Sequence, residues 1–418
     1  MLEHPPSPIQ HLLAERPIVV TGLGVFSAAG RHPGDFFETL LRGVSRAVSQ
    51  VLGSATIAIC PAPPVALSGA GFRRVRTMDR SVQMSLAAAD DAWAMAAMAG
   101  SGLRPDRLAV IAGTSRGPVG KCAAATHLPD RRRIPPSLAP NTTIAGLSGA
   151  IAQALDARGP SWTVSATCAS SAHAIALGAQ QLLLGLVDAV VVGGGEAPLD
   201  PSVLFQMEAA GVLGSDPDPL RACRPFAADR NGTVLGEGAG FLVLETLASA
   251  RGRGVPPLAR LAGWALGADR IQRTGINDVA GCTESNMRAS LQMAGLRPEH
   301  VGYVHLHGTG TRMNDREEAR AIQRVFPQGV PCSSTKPMTG HCMGAAAALG
   351  AAVGILAMRE GHLPPSVNSQ PRDPAANLDL IGPLPREARP AAVLTNAAGF
   401  WGTNATLVFT AADEQTSS

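Results

Sequence analysis

Aromatic and charged side chains are both scarce in this sequence. Aromatics make up 4% of 418 residues, with a single tyrosine, and charged residues 16%. Apolar residues reach 45% and glycines number 46, which excludes a disordered or fibrous chain. Small residues let helices and strands approach closely, as in a tightly packed α/β enzyme. The length suits one large domain or two fused halves. Cysteine is sparse and odd in number: seven residues, with no C-x-x-C pair and no Cys/His ligand spacing. That argues against a disulfide framework and against a zinc or other metal site.

Net charge is also small. A formal +3 is too weak to argue for nucleic acid, which needs clustered cations. Two local clusters exist, Arg73, Arg74 and Arg76 with Arg80, and Arg131 to Arg133. They read first as solvated loops and second as a docking patch for an acidic partner protein. Met1 to Arg16 carries Glu3, His4, His11 and three prolines, and shows no charged-then-apolar signal pattern. The longest uncharged helical stretch, Cys342 to Met358, is short for a membrane span and reads as a buried helix. The expectation is a cytoplasmic protein with no membrane or nucleic-acid partner.

Short β-branched runs alternate with helical patterns. Strands are expected at Pro17–Thr21, Leu108–Gly113, Trp162–Ala166, Ala189–Gly193, Phe241–Glu245, Tyr303–His307, Ala392–Asn396 and Thr406–Thr410. Val82, Leu86, Ala89 and Trp93 share one helical face, and Asp315, Glu317 and Glu318 open another helix that carries Arg320 and Arg324 further along. The alternation implies α/β layers. Pro/Gly joints lie at Ser215–Asn231, Arg251–Pro257 and Gly361–Pro374, and the middle one best divides two halves, although no sequence repeat is visible between them. Two glycine runs, Gly22-Leu23-Gly24 and Gly193-Gly194-Gly195, follow strands without the spacing of a dinucleotide fingerprint. They read as close packing.

Four segments concentrate chemistry. Cys168, in Val164-Ser165-Ala166-Thr167-Cys168-Ala169-Ser170-Ser171, falls where a strand gives way to a helix. A thiol there faces unpaired N–H groups and the positive dipole end, which favours its thiolate. His307 opens His307-Gly308-Thr309-Gly310-Thr311 after a strand. His341 closes Ser334-Thr335-Lys336-Pro337-Met338-Thr339-Gly340-His341 before an Ala/Gly helix. Sites of α/β enzymes gather at such junctions. His305 shares the strand face of His307 and reads as structural. The fourth segment, Asn396-Ala397-Ala398-Gly399-Phe400-Trp401-Gly402-Thr403-Asn404, is a Gly-rich turn able to aim a backbone N–H into a cleft.

In this order, the four segments resemble the β-ketoacyl-acyl-carrier-protein synthases of the thiolase-like superfamily, specifically the elongating branch with a Cys-His-His site. The resemblance runs from Val19-Val20-Thr21-Gly22-Leu23-Gly24 through Met78-Asp79-Arg80, Arg224-Pro225-Phe226 and Gly236-Glu237-Gly238-Ala239-Gly240 to Gly402-Thr403-Asn404. It implies two similar α/β halves, 14–253 and 254–412, in α-β-α-β-α layers, the first with the nucleophile and the second with the His pair. It implies decarboxylative Claisen condensation of a Cys168-bound acyl group with malonyl-acyl carrier protein, in fatty acid or polyketide biosynthesis. His307 and His341 would donate to the thioester oxygen that gains charge as carbon dioxide leaves. Lys336 would support them electrostatically, with Asp315 and Glu318 in a polar network nearby. The backbone N–H groups of Cys168 and Phe400 would hold the oxyanion, in a gate formed with Gly399 and Trp401. Thr309 and Thr311 would contact the pantetheine arm, which enters with the carrier, so no other cofactor is implied. Met207, Ala398 and Arg116 would bound the acyl pocket, and Arg73, Arg74 and Arg76 would dock the acidic carrier. A homodimer, or a heterodimer with a related ketosynthase-like subunit, is implied.

The chain departs from that family pattern at four places. Gly350 stands where a Glu usually pairs with the Lys. Ala398 replaces a bulkier residue, and Trp401 replaces a gate glycine whose backbone freedom Trp lacks. Arg116 falls where a pocket wall is usually small or apolar, and a buried Arg needs a partner. Together they point to a specialised acyl chain. Two other readings compete: a same-fold acyltransferase forming C–O or C–N bonds, and a non-catalytic partner subunit.

Overall fold

The computed structural model describes residues 7–66, 75–126, 134–269 and 281–412. Its layer-forming elements run β1 (Ile18–Ser27), α1 (Arg80–Met95), β2 (Leu108–Gly113), α2 (Gly146–Ala154), β3 (Ser161–Val164), α3 (Ser170–Leu183), β4 (Ala189–Glu196) and β5 (Gly238–Thr246). The series then repeats: β6 (Ala259–Ala268), α4 (Gly281–Ala294), β7 (Tyr303–His305), α5 (Arg312–Val325), β8 (Cys332–Ser333), α6 (Ala346–Glu360), β9 (Ala392–Ala398) and β10 (Thr403–Thr410).

The ten strands form one sheet in the order β8-β7-β9-β10-β6-β1-β5-β4-β2-β3. Each set of five follows the same internal order, with its first strand at the centre of the sheet. There β1 and β6 pair antiparallel, Val19 with Arg260 and Val20 with Ala259. In both sets the first strand is antiparallel to the fifth and the fifth to the fourth. The fourth, second and third run parallel. Parallel strands covered on both faces read as unbroken apolar runs, which is why β2 and β4 are buried at every position.

Apolar cores separate the five layers. Between the two sets of strands lies the largest, where α3 brings Ile175 and Leu182 against Val353 and Ile355 of α6. Met84 and Leu86 of α1 and Ile151 of α2 seal the outer face of the first set. Met287 and Leu291 of α4 and Ile322 and Val325 of α5 seal the second. The α-β-α-β-α arrangement expected from the resemblance is therefore present. The stretch Met343–Glu360 is long and apolar enough to cross a membrane, yet 83% of it is buried in this central layer.

The first glycine run is explained by packing. A Cβ on Gly22 or Gly24 would come within 1.9 or 1.8 Å of the carbonyl oxygens of Ala92 or Ala88, so α1 rests on β1 only because both are glycine. In β4, a Cβ on Gly193 would lie 2.0 Å from the Gly240 oxygen of β5.

Candidate active site

Cys168 is placed by a strained turn. Thr167 adopts φ 49°, unusual for a β-branched residue, and Cys168 follows it just before α3. The turn is tied to residues 399–403. Thr167 Oγ1 donates to the Phe400 carbonyl at 3.2 Å and lies 2.7 Å from Thr403 Oγ1, and Thr403 Oγ1 donates to the Ala166 carbonyl at 2.8 Å. A Cβ on Gly399 would fall 1.9 Å from Thr167 Oγ1, so only glycine permits this docking.

His341 reaches the same place by the same device in the second half. Gly340, at φ 69°, precedes it in the turn between β8 and α6. The His341 N–H donates to the Val234 carbonyl at 2.7 Å. Its Nε2 then lies 3.2 Å from Cys168 Sγ. The rings of His307 and His341 meet edge to face, with centroids 5.3 Å apart and planes at 85°.

His307 follows β7 on a loop whose N–H groups are held by two carboxylates of α5. Glu318 accepts from the His307 and Gly308 N–H groups, both at 2.7 Å. Asp315 accepts from Thr309 at 3.0 Å, from Gly310 and, at 2.8 Å, from Phe226. These acids are buried because backbone donors satisfy them. The charge order read along this helix thus has a loop-holding purpose beyond the helix dipole. The Lys336 ammonium donates to the His307 carbonyl oxygen.

Burial dominates the electrostatics. It pushes the Cys168 thiol up to about 12; Lys336 opposes the shift, Glu196 adds to it, and Arg116 and the Phe400 N–H oppose it. The expected thiolate is thus outweighed, and the resting group is a thiol against an imidazole. Burial, then the Lys336 charge, hold His307 and His341 well below the ordinary histidine range, so both are neutral. Lys336 is itself lowered by burial, with Glu318 the main opposing charge. Burial lifts Glu318 to about 7 against its two backbone donors.

A cavity of about 500 Å³ opens onto Cys168, His307 and His341. Thr309, Thr311, Met207, Ala398, Gly399 and Phe400 line it, and the two threonine hydroxyls lie 2.8 Å apart. Arg116 lies outside this lining, half-buried, with Nη1 donating to Gln206 Oε1 at 3.0 Å. Trp401 is also outside the lining, 64% exposed. Arg73, Arg74 and Arg131 to Arg133 fall outside the described residues, as does the side chain of Arg76.

Sequence reasoning missed Glu196. It ends β4 and accepts from the Ser115, Arg116 and Gly344 N–H groups at 2.6, 3.0 and 3.0 Å. It therefore pins the loop after β2 to the start of α6. Burial raises it to about 7, against those donors. The available signal was an acid closing an apolar strand that has no room for exposure.

Two family models cover the chain: the β-ketoacyl synthase N-terminal domain matches residues 63–250 and the C-terminal domain residues 258–370. Nodulation protein E of Rhizobium sp. (strain N33) is 33% identical over 94% of this chain and 99% of its own length. The 3-oxoacyl-[acyl-carrier-protein] synthase 2 of Coxiella burnetii is 32% identical over 95% and 99%. Among solved structures, the ishigamide ketosynthase/chain length factor superposes with a TM-score of 0.87 at 30% identity, over 95% of this chain and 99% of that one. The chain belongs to the β-ketoacyl synthase family. It is an acyltransferase of the condensing type, joining an enzyme-bound acyl group to malonyl-acyl carrier protein with loss of carbon dioxide, in fatty acid or polyketide biosynthesis.

Proposed function

We propose that Cys168, His307, His341 and Lys336 carry this condensation, and that the acyl chain is a specialised one. The observation that carries the first part is the convergence of one sulfur and two neutral imidazoles on a single cavity. In the acylation step the Cys168 thiol attacks the incoming thioester. Its proton passes to the departing carrier thiol as the old C–S bond breaks. Malonyl-carrier then enters, its pantetheine arm passing Thr309 and Thr311. Its bond to the carboxylate breaks, carbon dioxide leaves, and the electron pair becomes an enolate whose oxygen faces N–H donors on His307 and His341. Neutral imidazoles suit this, because each keeps one donor without needing a counter-ion. The enolate carbon attacks the Cys168 acyl carbon. The Cys168 and Phe400 N–H groups hold the oxyanion, and collapse expels the sulfur as a thiolate, which takes a proton from solvent.

Lys336 holds the imidazoles neutral, and Asp315 and Glu318 fix the loop on which His307 stands. Residues 14–253 and 254–412 act as the two units. Gly350, Ala398 and Trp401 support a specialised chain, since pocket and gate differ while the reacting groups are kept. The chain works in the cytoplasm with an acidic acyl carrier, docked on Arg73, Arg74 and Arg76. Edge strand β3, with Trp162 42% exposed, supports pairing with a second copy or a related subunit such as a chain length factor.

Incubation with acyl carrier, malonyl-acyl carrier protein and acyl donors of several lengths, followed by mass spectrometry, tests this. A 3-oxoacyl product and an acyl adduct on the protein are expected, both lost in Cys168→Ala. An unmodified wild-type protein would overturn the catalytic reading, and efficient turnover of ordinary long saturated chains the specialised one.

A further inference from the structure

His305 read from sequence as structural, two residues before His307 on the same strand face. Its surroundings say more. The ring is buried, 3% exposed, at the end of β7. On one side its Nε2 lies 3.0 Å from Thr335 Oγ1, the residue that precedes Lys336. On the other side its Nδ1 has no hydrogen-bond partner among the described residues and faces helix α6 at Gly350. A Cβ at position 350 would sit 2.7 Å from that Nδ1, 3.0 Å from Cε1 of the same ring and 2.9 Å from Thr395 Cγ2. The imidazole therefore fills the space that any side chain at 350 would need.

We propose that His305 and Gly350 form a complementary pair that seats the Thr335–Lys336 turn, making His305 a positioning residue for the Lys336 ammonium. The inference rests on the reading of Lys336 and the two cavity imidazoles given above. Its logic is steric and electrostatic. Gly350 lets α6 approach β7 and β9 closely enough to clamp the ring, and the clamped ring meets the Thr335 hydroxyl. The next residue then delivers its ammonium to the His307 carbonyl. Burial, with the Lys336 charge, lowers His305 to about 3, so the wedge stays uncharged at working pH. A carboxylate in that space would neutralise the ammonium; a neutral ring leaves the positive field on His307 and His341. The departure at Gly350 and the extra histidine are thus one feature.

The test separates the two half-reactions in the full-length protein. Cys168 acylation is followed by intact mass, and carbon dioxide release is measured with malonyl-acyl carrier protein. Alanine is a better helix former than glycine, so Gly350→Ala has no helical reason to do harm. Gly350→Ala is expected to slow carbon dioxide release about tenfold and acylation less than about twofold, because Lys336 reaches the former directly through the His307 carbonyl and is only one of several charges acting on the thiol. The smaller side chain of His305→Asn, added to Gly350→Ala, is expected to recover at least half of the lost rate on a logarithmic scale. His305→Asn alone, should Gly350→Ala fail to fold, is expected to slow carbon dioxide release severalfold and spare acylation. Equal loss of both half-reactions in either variant, a double variant whose defect is the product of the singles, or a Gly350→Ala protein indistinguishable from wild type would each overturn the pairing. A wild-type protein that acylates but releases no carbon dioxide would overturn the underlying reading instead.

Discussion

The two halves of the molecule share one strand order, yet the first supplies the thiol of the site and the second its imidazoles. At the turn after the third strand the parallel is closest. Thr167 at φ 49° presents Cys168 before α3, and Gly340 at φ 69° presents His341 before α6. One residue of positive φ turns each chain so that the next side chain points into the cavity between the halves. The loops after the second strands differ more. In the first half the Ser115 and Arg116 N–H groups go to Glu196, from the strand beside it. In the second, the His307–Gly310 N–H groups go to Glu318 and Asp315, from the following helix. A repeated backbone thus delivers complementary groups to one point, and buried acids fix the loops that must not move.

The largest test of this division of labour replaces the imidazoles. His307→Ala removes a donor to the enolate oxygen but does not touch the sulfur. Carbon dioxide release should fall about 10²- to 10³-fold, as for loss of one oxyanion donor, with acylation of Cys168 kept. His341→Ala should slow both steps, because its Nε2 also lies 3.2 Å from Sγ. If His307→Ala blocked acylation as severely as His341→Ala, the two rings would not have separate duties.

Sequence alone carried much of this and lost part for physical reasons. Strands β2, β4, β5, β9 and β10 were legible because β-branched runs mark buried strands. Strand β6 was not, since Ala-Arg-Leu-Ala-Gly-Trp-Ala-Leu-Gly-Ala has no β-branched residue and owes its conformation to β1 and β10 on either side. Strand β8 is two residues long. The internal repeat left no trace in the letters because topology needs only apolar periodicity, which many sequences satisfy. Cys168, His307 and His341 were visible through their turn settings. The thiol's proton was misjudged, because burial outweighs the helix terminus and no sequence shows burial depth. The resemblance puts Arg116 at a pocket wall, and nothing in the letters shows that its guanidinium donates to Gln206.

Glu196 is an acid of the first half that reaches the second, and Glu196→Gln sharpens the comparison at intermediate size. A glutamine turns an NH₂ toward backbone donors that now meet a carboxylate, so stability should fall by about 1–3 kcal/mol. Two pH signatures follow. Glu196 raises the Cys168 thiol, so its removal should move the pH midpoint of iodoacetamide alkylation downward, while Lys336→Met should move it upward. The folded acid titrates at about 7 against an ordinary 4.5. Its contribution is therefore complete below pH 4.5 and lost as pH rises through about 7. Denaturant midpoints of wild type and variant should converge across that window as pH rises. An unshifted alkylation midpoint would remove Glu196 from the electrostatics of the thiol.

The smallest expected effect concerns the turn that has no counterpart in the first half. Trp401 sits at φ 61° and ψ 16°, a conformation that costs a side-chain-bearing residue about 1–2 kcal/mol. Its ring is 64% exposed, so packing does not repay much of that strain. Trp401→Gly removes the strain but adds unfolded-state freedom worth about 0.5–1 kcal/mol. The net should be a stabilisation of about 0.5 kcal/mol, read as a small rise in denaturant midpoint at unchanged slope. Activity discriminates what the strain is for. The turn carries the Phe400 N–H that reaches Cys168, and Thr167 and Thr403 anchor it through the Phe400 carbonyl. If the tryptophan serves the acyl chain or its carrier, the glycine variant should be more stable yet lose discrimination between acyl lengths. If stability falls instead, the indole is making contacts that outweigh its backbone, and the left-handed turn would be a consequence of those contacts.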